Sequence, residues 1–203
     1  MAKPPSSIQT LEGIMWLGAA ASVLGLALGL HRVFSSPGID SRHVGVGYQA
    51  VSGAGQGQSV PTGPPGTPHL LPSSFDRTLV ISDPDLSQRF LLALPDLLLT
   101  VALGAIAVLL LLMLRSFREG EPFAPPNAWR LAAVGIALLG IACIPHVEAI
   151  SLKALVSGSP LEDMGVHSGE DFDWALVTGF AVLALAEFFR QGSRLRADTE
   201  GLV

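Results

Sequence analysis

The sequence predicts an all-α membrane protein, a four-transmembrane-helix bundle with one long extracytoplasmic loop. Residues 97–114 contain no charged residue, and a run of this length can cross the hydrocarbon core of a bilayer as a helix. Three further apolar segments accompany it along the chain. Charged residues make up only 14% of the 203 residues, against about 25% in soluble globular domains. Together these features exclude most soluble-enzyme classes.

The four spans are predicted at about residues 14–31, 90–115, 128–152 and 173–190, within a single membrane domain that covers 1–203. A signal peptide is the alternative for the first span. Its apolar run exceeds the usual length of about 7–15 residues, and no A-x-A cleavage site follows it. We therefore expect an uncleaved helix there.

The distribution of basic residues predicts the orientation of the spans. Lys and Arg collect in the short cytoplasmic loops of membrane proteins. Arginines lie in the connection between the second and third spans and in the tail after the fourth: Arg115, Arg118, Arg130, Arg190, Arg194, Arg196. The connection between the third and fourth spans has one basic residue and is mainly acidic: Lys153, Glu162, Asp163, Glu170, Asp171, Asp173. We expect a multi-pass protein of the cell (inner) membrane with both termini cytoplasmic. The segment 34–89 is then extracytoplasmic, and the hairpin 116–127 and the tail 191–203 are cytoplasmic.

The extracytoplasmic loop has two kinds of sequence. Its middle, residues 52–68, consists almost entirely of Gly, Ser, Gln, Pro and Thr with little to bury, which is typical of a mobile segment. Residues 43–48 alternate in polarity and residues 77–82 are rich in β-forming residues. These two flanks are predicted to pair as a small β ribbon, which needs the helices or a partner subunit for support.

The cytoplasmic hairpin has the sequence features of a well-made turn. Gly120 suits the end of the second helix, and Asn127 is predicted to cap the third.

In the tail, Phe188 and Leu195 fall on one face of a helix that also carries Arg190 and Arg194. That pattern predicts a helix lying along the inner leaflet, with docking to a cytoplasmic protein as the alternative.

Small residues mark one face of the first span. Gly18, Ala21, Gly25 and Gly29 recur at three- and four-residue steps. Gly25 and Gly29 form the G-x-x-x-G pattern of close helix packing in lipid. We expect this face to meet another helix, either within the bundle or across a homo-oligomer.

Few residues can carry chemistry. Asp96 and Glu187 lie within the predicted spans, where ionisable groups are functional candidates, although structural pairing is favoured for both. His146 and Glu148 are two residues apart, so they point to different faces of a regular helix. No nucleotide, nucleophile or helical metal motif is present, and the net charge of −5 argues against direct nucleic-acid binding. We expect no enzyme, cofactor or metal site.

Two cytoplasmic motifs carry a resemblance to a known family. The pattern R-x-G-E-P-F-x-x-x-N-x-x-R-L covers residues 118–131, and A-E-F-F-R-Q-G-x-x-L-R-x-D-x-E-G-L-V covers residues 186–203. Both resemble the bacterial membrane family called domain of unknown function 2975. The resemblance implies an inner-membrane protein, often accompanied by a small helix-turn-helix regulator, with no catalytic residue to carry over. In and beside the motifs the candidate functional residues are Arg118, Glu121, Phe123, Asn127, Arg130, Glu187, Arg190 and Arg194.

Three functional hypotheses follow from these patterns. The first is a non-enzymatic sensing, relay or tethering protein that works with a cytoplasmic regulator. The second is a small transporter or ion-coupled protein that uses Asp96, His146, Glu148 or Glu187. The third is a purely structural bundle. The lipid bilayer is the one partner common to all three hypotheses.

Overall fold

The computed structural model describes residues 6–35, 39–44, 68–72, 77–159, 162 and 174–200. Over this part of the chain the protein is mostly helical. The helices are α1 (Ser6–Phe34), α2 (Leu86–Arg118), α3 (Pro125–Ala142), α4 (Ile144–Val156) and α5 (Trp174–Glu200). The strands are β1 (Ile39–Val44), β2 (Pro68–Pro72) and β3 (Arg77–Ser82).

Four helical segments of the described chain are long and apolar enough to cross a membrane: Thr10–Phe34, Leu86–Arg118, Pro125–Val156 and Trp174–Leu195. The prediction of four spans is therefore confirmed at the level of length and composition. Many large apolar side chains on these helices are exposed, including Leu17 and Val23 on α1. Such exposure is expected where lipid replaces water as the solvent.

The third span, Pro125–Val156, is divided by a turn into two helices. α3 ends at Ala142, Cys143 forms a turn, and α4 begins at Ile144. Pro145 has no N–H to donate, so a regular helix loses a hydrogen bond just after the turn. The Cys143 N–H donates to the Gly140 carbonyl, three residues back, at 3.1 Å. Cys143 is exposed.

The C-terminal segment also differs from its prediction. α5 runs without interruption from the fourth span to Glu200, so residues 191–200 continue that helix instead of forming a separate one along the leaflet. The sequence has no proline between 174 and 200 to stop the helix. Residues 201–203 lie outside the described residues.

The described strands form a three-stranded antiparallel sheet in the order β1-β3-β2. The predicted ribbon of two strands is wrong in its strand number, because the described sheet has three strands. β1 covers 39–44, while residues 45–48 of the predicted strand lie outside the described residues. β2 was not predicted and pairs with the other edge of β3. The remainder of 45–67 lies outside the described residues.

The chain divides into two compact units, Met1–Ala27 with Leu98–Cys143 and Asp173–Val203, and Leu28–Leu97 with Ile144–Phe172. In the second unit the sheet packs on helices. Ile81 of β3 is fully buried against Leu92 of α2 and Leu155 of α4. Arg89 donates hydrogen bonds to the carbonyls of Ser35 and Pro84. It thereby satisfies a carbonyl left without a helical partner beyond the end of α1.

A capping box starts α2 four residues before the predicted span. The Gln88 N–H donates to Asp85 Oδ1 at 2.7 Å, and the Asp85 N–H donates back to Gln88 Oε1 at 3.1 Å. This reciprocal pair satisfies two N–H groups at the helix start. The backbone hydrogen bond from Gln88, followed by the one from the Ser87 hydroxyl, holds the pKa of Asp85 below its ordinary value of 3.8.

In the first unit, α3 and α5 make their closest approach at two glycines. A Cβ added at Gly135 would lie 2.7 Å from Leu183 Cγ and 3.1 Å from the Gly179 carbonyl oxygen. A Cβ added at Gly179 would lie 2.8 Å from Leu139 Cδ2. Because a backbone oxygen cannot move aside as a side chain can, a Cβ at either position would force the two helices apart.

Substitution of Gly135 by leucine is predicted to destabilise the bundle by about 1–3 kcal/mol, the usual cost of overpacking. Thermal unfolding in lipid nanodiscs measures the loss. Gly140→Leu on the same helix is the matched control, because a Cβ there meets nothing within 4 Å. Equal unfolding temperatures for the two variants would contradict the α3–α5 contact.

The lowered pKa of Asp85 predicts an acid-dependent loss of stability. The ionised carboxylate stabilises the fold fully above the pKa of an unfolded aspartate, about 3.9. This contribution is lost as the pH falls through the lower pKa of the folded state. Asp85→Asn keeps an acceptor oxygen but not the charge, so it should lack this acid-dependent component. Unfolding curves between pH 7 and pH 2 that fall in parallel for both proteins would contradict the assignment.

Candidate functional site

The candidate site is the hairpin between α2 and α3. α2 ends at Arg118, and Gly120 follows with a φ of +83°. The Gly120 N–H donates to the Phe117 carbonyl, and the Glu121 N–H donates to the Ser116 carbonyl, both at 3.1 Å. This pair of bonds is the Schellman arrangement, which needs a left-handed residue and so favours glycine. The chain therefore reverses direction immediately after the helix.

Asn127 holds the reversed chain in place. Its side chain is fully buried, and its Nδ2 donates to Ser116 Oγ at 2.9 Å, to the Pro122 carbonyl at 3.1 Å and to the Glu121 carbonyl at 3.3 Å. Its Oδ1 accepts a hydrogen bond from Arg130 Nη1 at 2.9 Å. Both ends of the buried amide are thus satisfied within the hairpin.

The predicted capping role of Asn127 is wrong. The N-cap of α3 is Ala124, which makes no side-chain cap, and proline occupies the first helical positions. Proline needs no cap partner at N1, since it has no N–H to satisfy. Asn127 lies one turn into the helix, where its side chain reaches back to the hairpin backbone.

Arg130 extends this network to α2. Its Nη1 donates to the Leu112 carbonyl at 3.1 Å as well as to Asn127. Ser116 closes the arrangement, because its Oγ donates to the Glu121 carbonyl at 3.0 Å while it accepts from Asn127. The end of α2, the turn and the start of α3 are therefore joined by side-chain hydrogen bonds, in addition to the Schellman pair.

Phe123 packs the hairpin against α5. Its ring centroid lies 5.5 Å from that of Phe189, which also stacks with Phe117 at 6.5 Å. A Cβ added at Gly192 would lie 3.0 Å from the Phe123 ring, so glycine leaves room for the aromatic contact. The two motifs that carry the family resemblance thus touch each other through Phe123, Phe189 and Gly192.

Two arginines connect the end of α2 to α1. Arg118 forms an ion pair with Glu12, and the guanidinium of Arg115 lies 5.7 Å from the centre of the Trp16 ring. Both α1 residues lie near the start of that helix. α1 is therefore in contact with the last turn of α2, directly before the hairpin.

Glu121 participates through its backbone. Its carbonyl accepts from Ser116 and Asn127, whereas its carboxylate is exposed. Within the described residues, that carboxylate has no hydrogen-bond or ion-pair partner. The hairpin therefore uses the backbone of Glu121 and leaves its carboxylate exposed.

The ionisable residues on α5 form a local ion pair. Glu187 accepts hydrogen bonds from Arg190 and, at 3.0 Å, from Gln191. The arrangement agrees with structural pairing of Glu187, and Arg194 lies exposed one turn beyond Arg190.

The other ionisable candidates lie in the second unit. Asp96 is exposed on α2, about ten residues after the helix begins. His146 is exposed and Glu148 is half-buried on α4. Among the described residues, no group of three or more His, Cys, Asp or Glu side chains could hold a metal ion.

The predicted packing glycines of α1 face α2. A Cβ added at Gly18 would lie 3.6 Å from Ala107 Cβ, and one at Gly25 would lie 3.2 Å from Thr100 Cγ2. A Cβ at Gly29 would lie 2.7 Å from Leu97. This face therefore lies against a helix of the same chain.

Sequence reasoning missed several residues of the site, namely Glu12, Trp16, Ser116, Phe117, Phe189 and Gly192. Phe189 and Gly192 lie in the motif of residues 186–203, but a sequence motif does not show which other segment of the chain it contacts. Ser116 carried no signal, because a serine near a helix end is common in turns.

Comparison with known proteins assigns no family to the chain. No family model matches the chain, and neither a curated protein nor a solved structure matches it.

Replacement of Asn127 by alanine is predicted to destabilise the protein by about 1–3 kcal/mol, because buried acceptors of the hairpin lose their donor. Thermal or denaturant unfolding in nanodiscs measures the loss. Glu121→Gln is the matched control and should stay within about 0.5 kcal/mol of the wild type, since its side chain is exposed. An unchanged stability for Asn127→Ala would rule out the network as the support of the hairpin.

Proposed function

We propose that the protein is a non-enzymatic membrane component that presents its hairpin and the end of α5 as a docking surface for a cytoplasmic regulator. The observation that supports the proposal is the contact of Phe123 with Phe189 and Gly192. This contact joins the motif of residues 118–131 and the motif of residues 186–203 into one surface. Loops that are held rigidly by a scaffold are common sites of binding.

The internal hydrogen bonds explain why this surface suits recognition. Asn127 and Ser116 fix the backbone at Glu121 and Pro122. Because this backbone is already ordered, a partner that binds there pays a smaller conformational-entropy cost. The carboxylate of Glu121 projects from this fixed backbone. Membership of the family called domain of unknown function 2975, and a helix-turn-helix regulator as the partner, are parts of the same proposal.

The cytoplasmic location of this surface rests on its arginines. Arg115, Arg118 and Arg130 surround the hairpin, and Arg190 and Arg194 follow at the end of the fourth span. The positive-inside rule favours such short arginine-bearing segments on the cytoplasmic side. An inner-membrane protein with both termini in the cytoplasm is the resulting topology.

Site-specific photo-cross-linking tests the docking surface. A photoreactive phenylalanine analogue at Glu121 or Leu195 should give a defined adduct with a cytoplasmic protein in native membranes. The same analogue at Ile136, an exposed apolar residue of α3, is the matched control and should cross-link to lipid only. Adducts at Glu121 that resemble those at Ile136 would contradict the proposed function.

Cysteine labelling tests the orientation separately. In a Cys143→Ala background, single cysteines at Ser59, Glu121 and Thr199 should react with an impermeant maleimide added outside only at position 59. Outside labelling at 121 and 199 would reverse the topology and place the surface away from cytoplasmic proteins.

A further inference from the structure

The start of α1 is attached to the rest of the first unit mainly by polar side chains. Glu12 pairs with Arg118, and their side chains are 22% and 39% exposed. One turn further along α1, Trp16 lies under the guanidinium of Arg115. Both arginines belong to the last turn of α2, directly before the hairpin. We call these four residues the clasp.

Beyond the clasp, α1 touches α2 through small residues. A Cβ at Gly18 would lie 3.6 Å from Ala107 Cβ, and a Cβ at Gly104 would lie 2.9 Å from Ser22 Cβ. No residue in the most apolar stretch of α1 is buried, and the buried cluster of this unit centres on Met113, Leu131 and Ala186. The docked position of α1 therefore buries little side-chain volume.

The membrane makes this weak attachment significant. Lipid solvates apolar side chains as well as another helix does, so no hydrophobic force returns a separated helix to its partner. What distinguishes docked from undocked α1 is the close contact of small residues and the clasp. Of these two contributions to docking, the clasp is the one that lies next to the hairpin, so a change at the hairpin can alter it.

We propose that α1 docks on α2 reversibly and that the clasp, through Arg115 and Arg118 at the end of α2, stabilises the docked state. An interaction that draws Arg118 away from Glu12 shifts α1 toward its undocked state. The clasp consists of residues of this chain alone and needs no partner. The proposal therefore goes beyond the proposed function and is tested independently of it.

A disulfide across the α1–α2 contact measures docking directly. The Gly18–Ala107 separation of 3.6 Å between Cβ positions is in the range that a disulfide bridges without strain. Gly18→Cys and Ala107→Cys, in a Cys143→Ala background and in nanodiscs, should form the bond readily under a mild oxidant. Its rate of formation reports the fraction of time that α1 is docked.

Loss of the ion pair should slow this reaction. Glu12→Gln and Arg118→Gln are each expected to lower the docking equilibrium constant about twofold to fivefold, the range of a partly exposed ion pair. The rate of disulfide formation should fall by up to the same factor. The exchanged pair, Glu12→Arg with Arg118→Glu, should restore the rate. High salt should slow the wild-type reaction by screening the pair and should have no such effect on Glu12→Gln.

Glu119→Gln is the matched control, because Glu119 is an exposed carboxylate next to Arg118 and lies outside the clasp. It should leave the rate unchanged. Equal rates for the wild type and Glu12→Gln would overturn the proposed role of the clasp. A failure of the exchanged pair to restore the rate would also overturn it. Glu12→Gln and the salt series decide the question even where an Arg118 variant fails to fold.

Discussion

The buried carboxamide of Asn127 is the interaction on which the rest of the candidate site depends. An amide without hydrogen-bond partners is costly inside a protein, so its four polar contacts fix the course of the chain from Ser116 to Arg130. That course brings Phe123 against α5 and leaves the Glu121 carboxylate exposed. The same fixed turn follows directly from Arg115 and Arg118, which reach α1. One buried side chain thus supports the contacts of the hairpin with α2 and α5.

Lipid changes which forces hold the helices together. α2 has 33 residues and is about 50 Å long, more than the hydrocarbon thickness of about 30 Å. Its charge-free stretch, residues 97–114, accounts for about 27 Å of that length. Within such a medium, close packing at Gly135 and Gly179 replaces hydrophobic burial. Polar networks at the helix ends then give the bundle its specific arrangement.

Periodicity and hydropathy were enough to predict the four spans, because a continuous apolar run has few alternatives to a membrane helix. The helix ends were harder. The capping box of Asp85 and Gln88 starts α2 early, and the turn at Cys143 divides the third span, since local hydrogen bonds decide such boundaries. The Gly120 helix stop was predictable from glycine alone. The docking of Phe123 on Gly192 was not, because it joins residues about 70 positions apart and no local pattern encodes that pairing.

Hydrogen–deuterium exchange of the hairpin amides reports whether the turn that Asn127 supports is held closed in the folded protein. The N–H groups of Gly120, Glu121 and Ala124 donate to hairpin or helix-end carbonyls. In nanodiscs these amides should exchange much more slowly than in an unfolded peptide of the same sequence, and Asn127→Ala should abolish most of this protection while the α3 amides stay protected. Exchange at the unfolded-peptide rate in the wild-type protein would contradict the account.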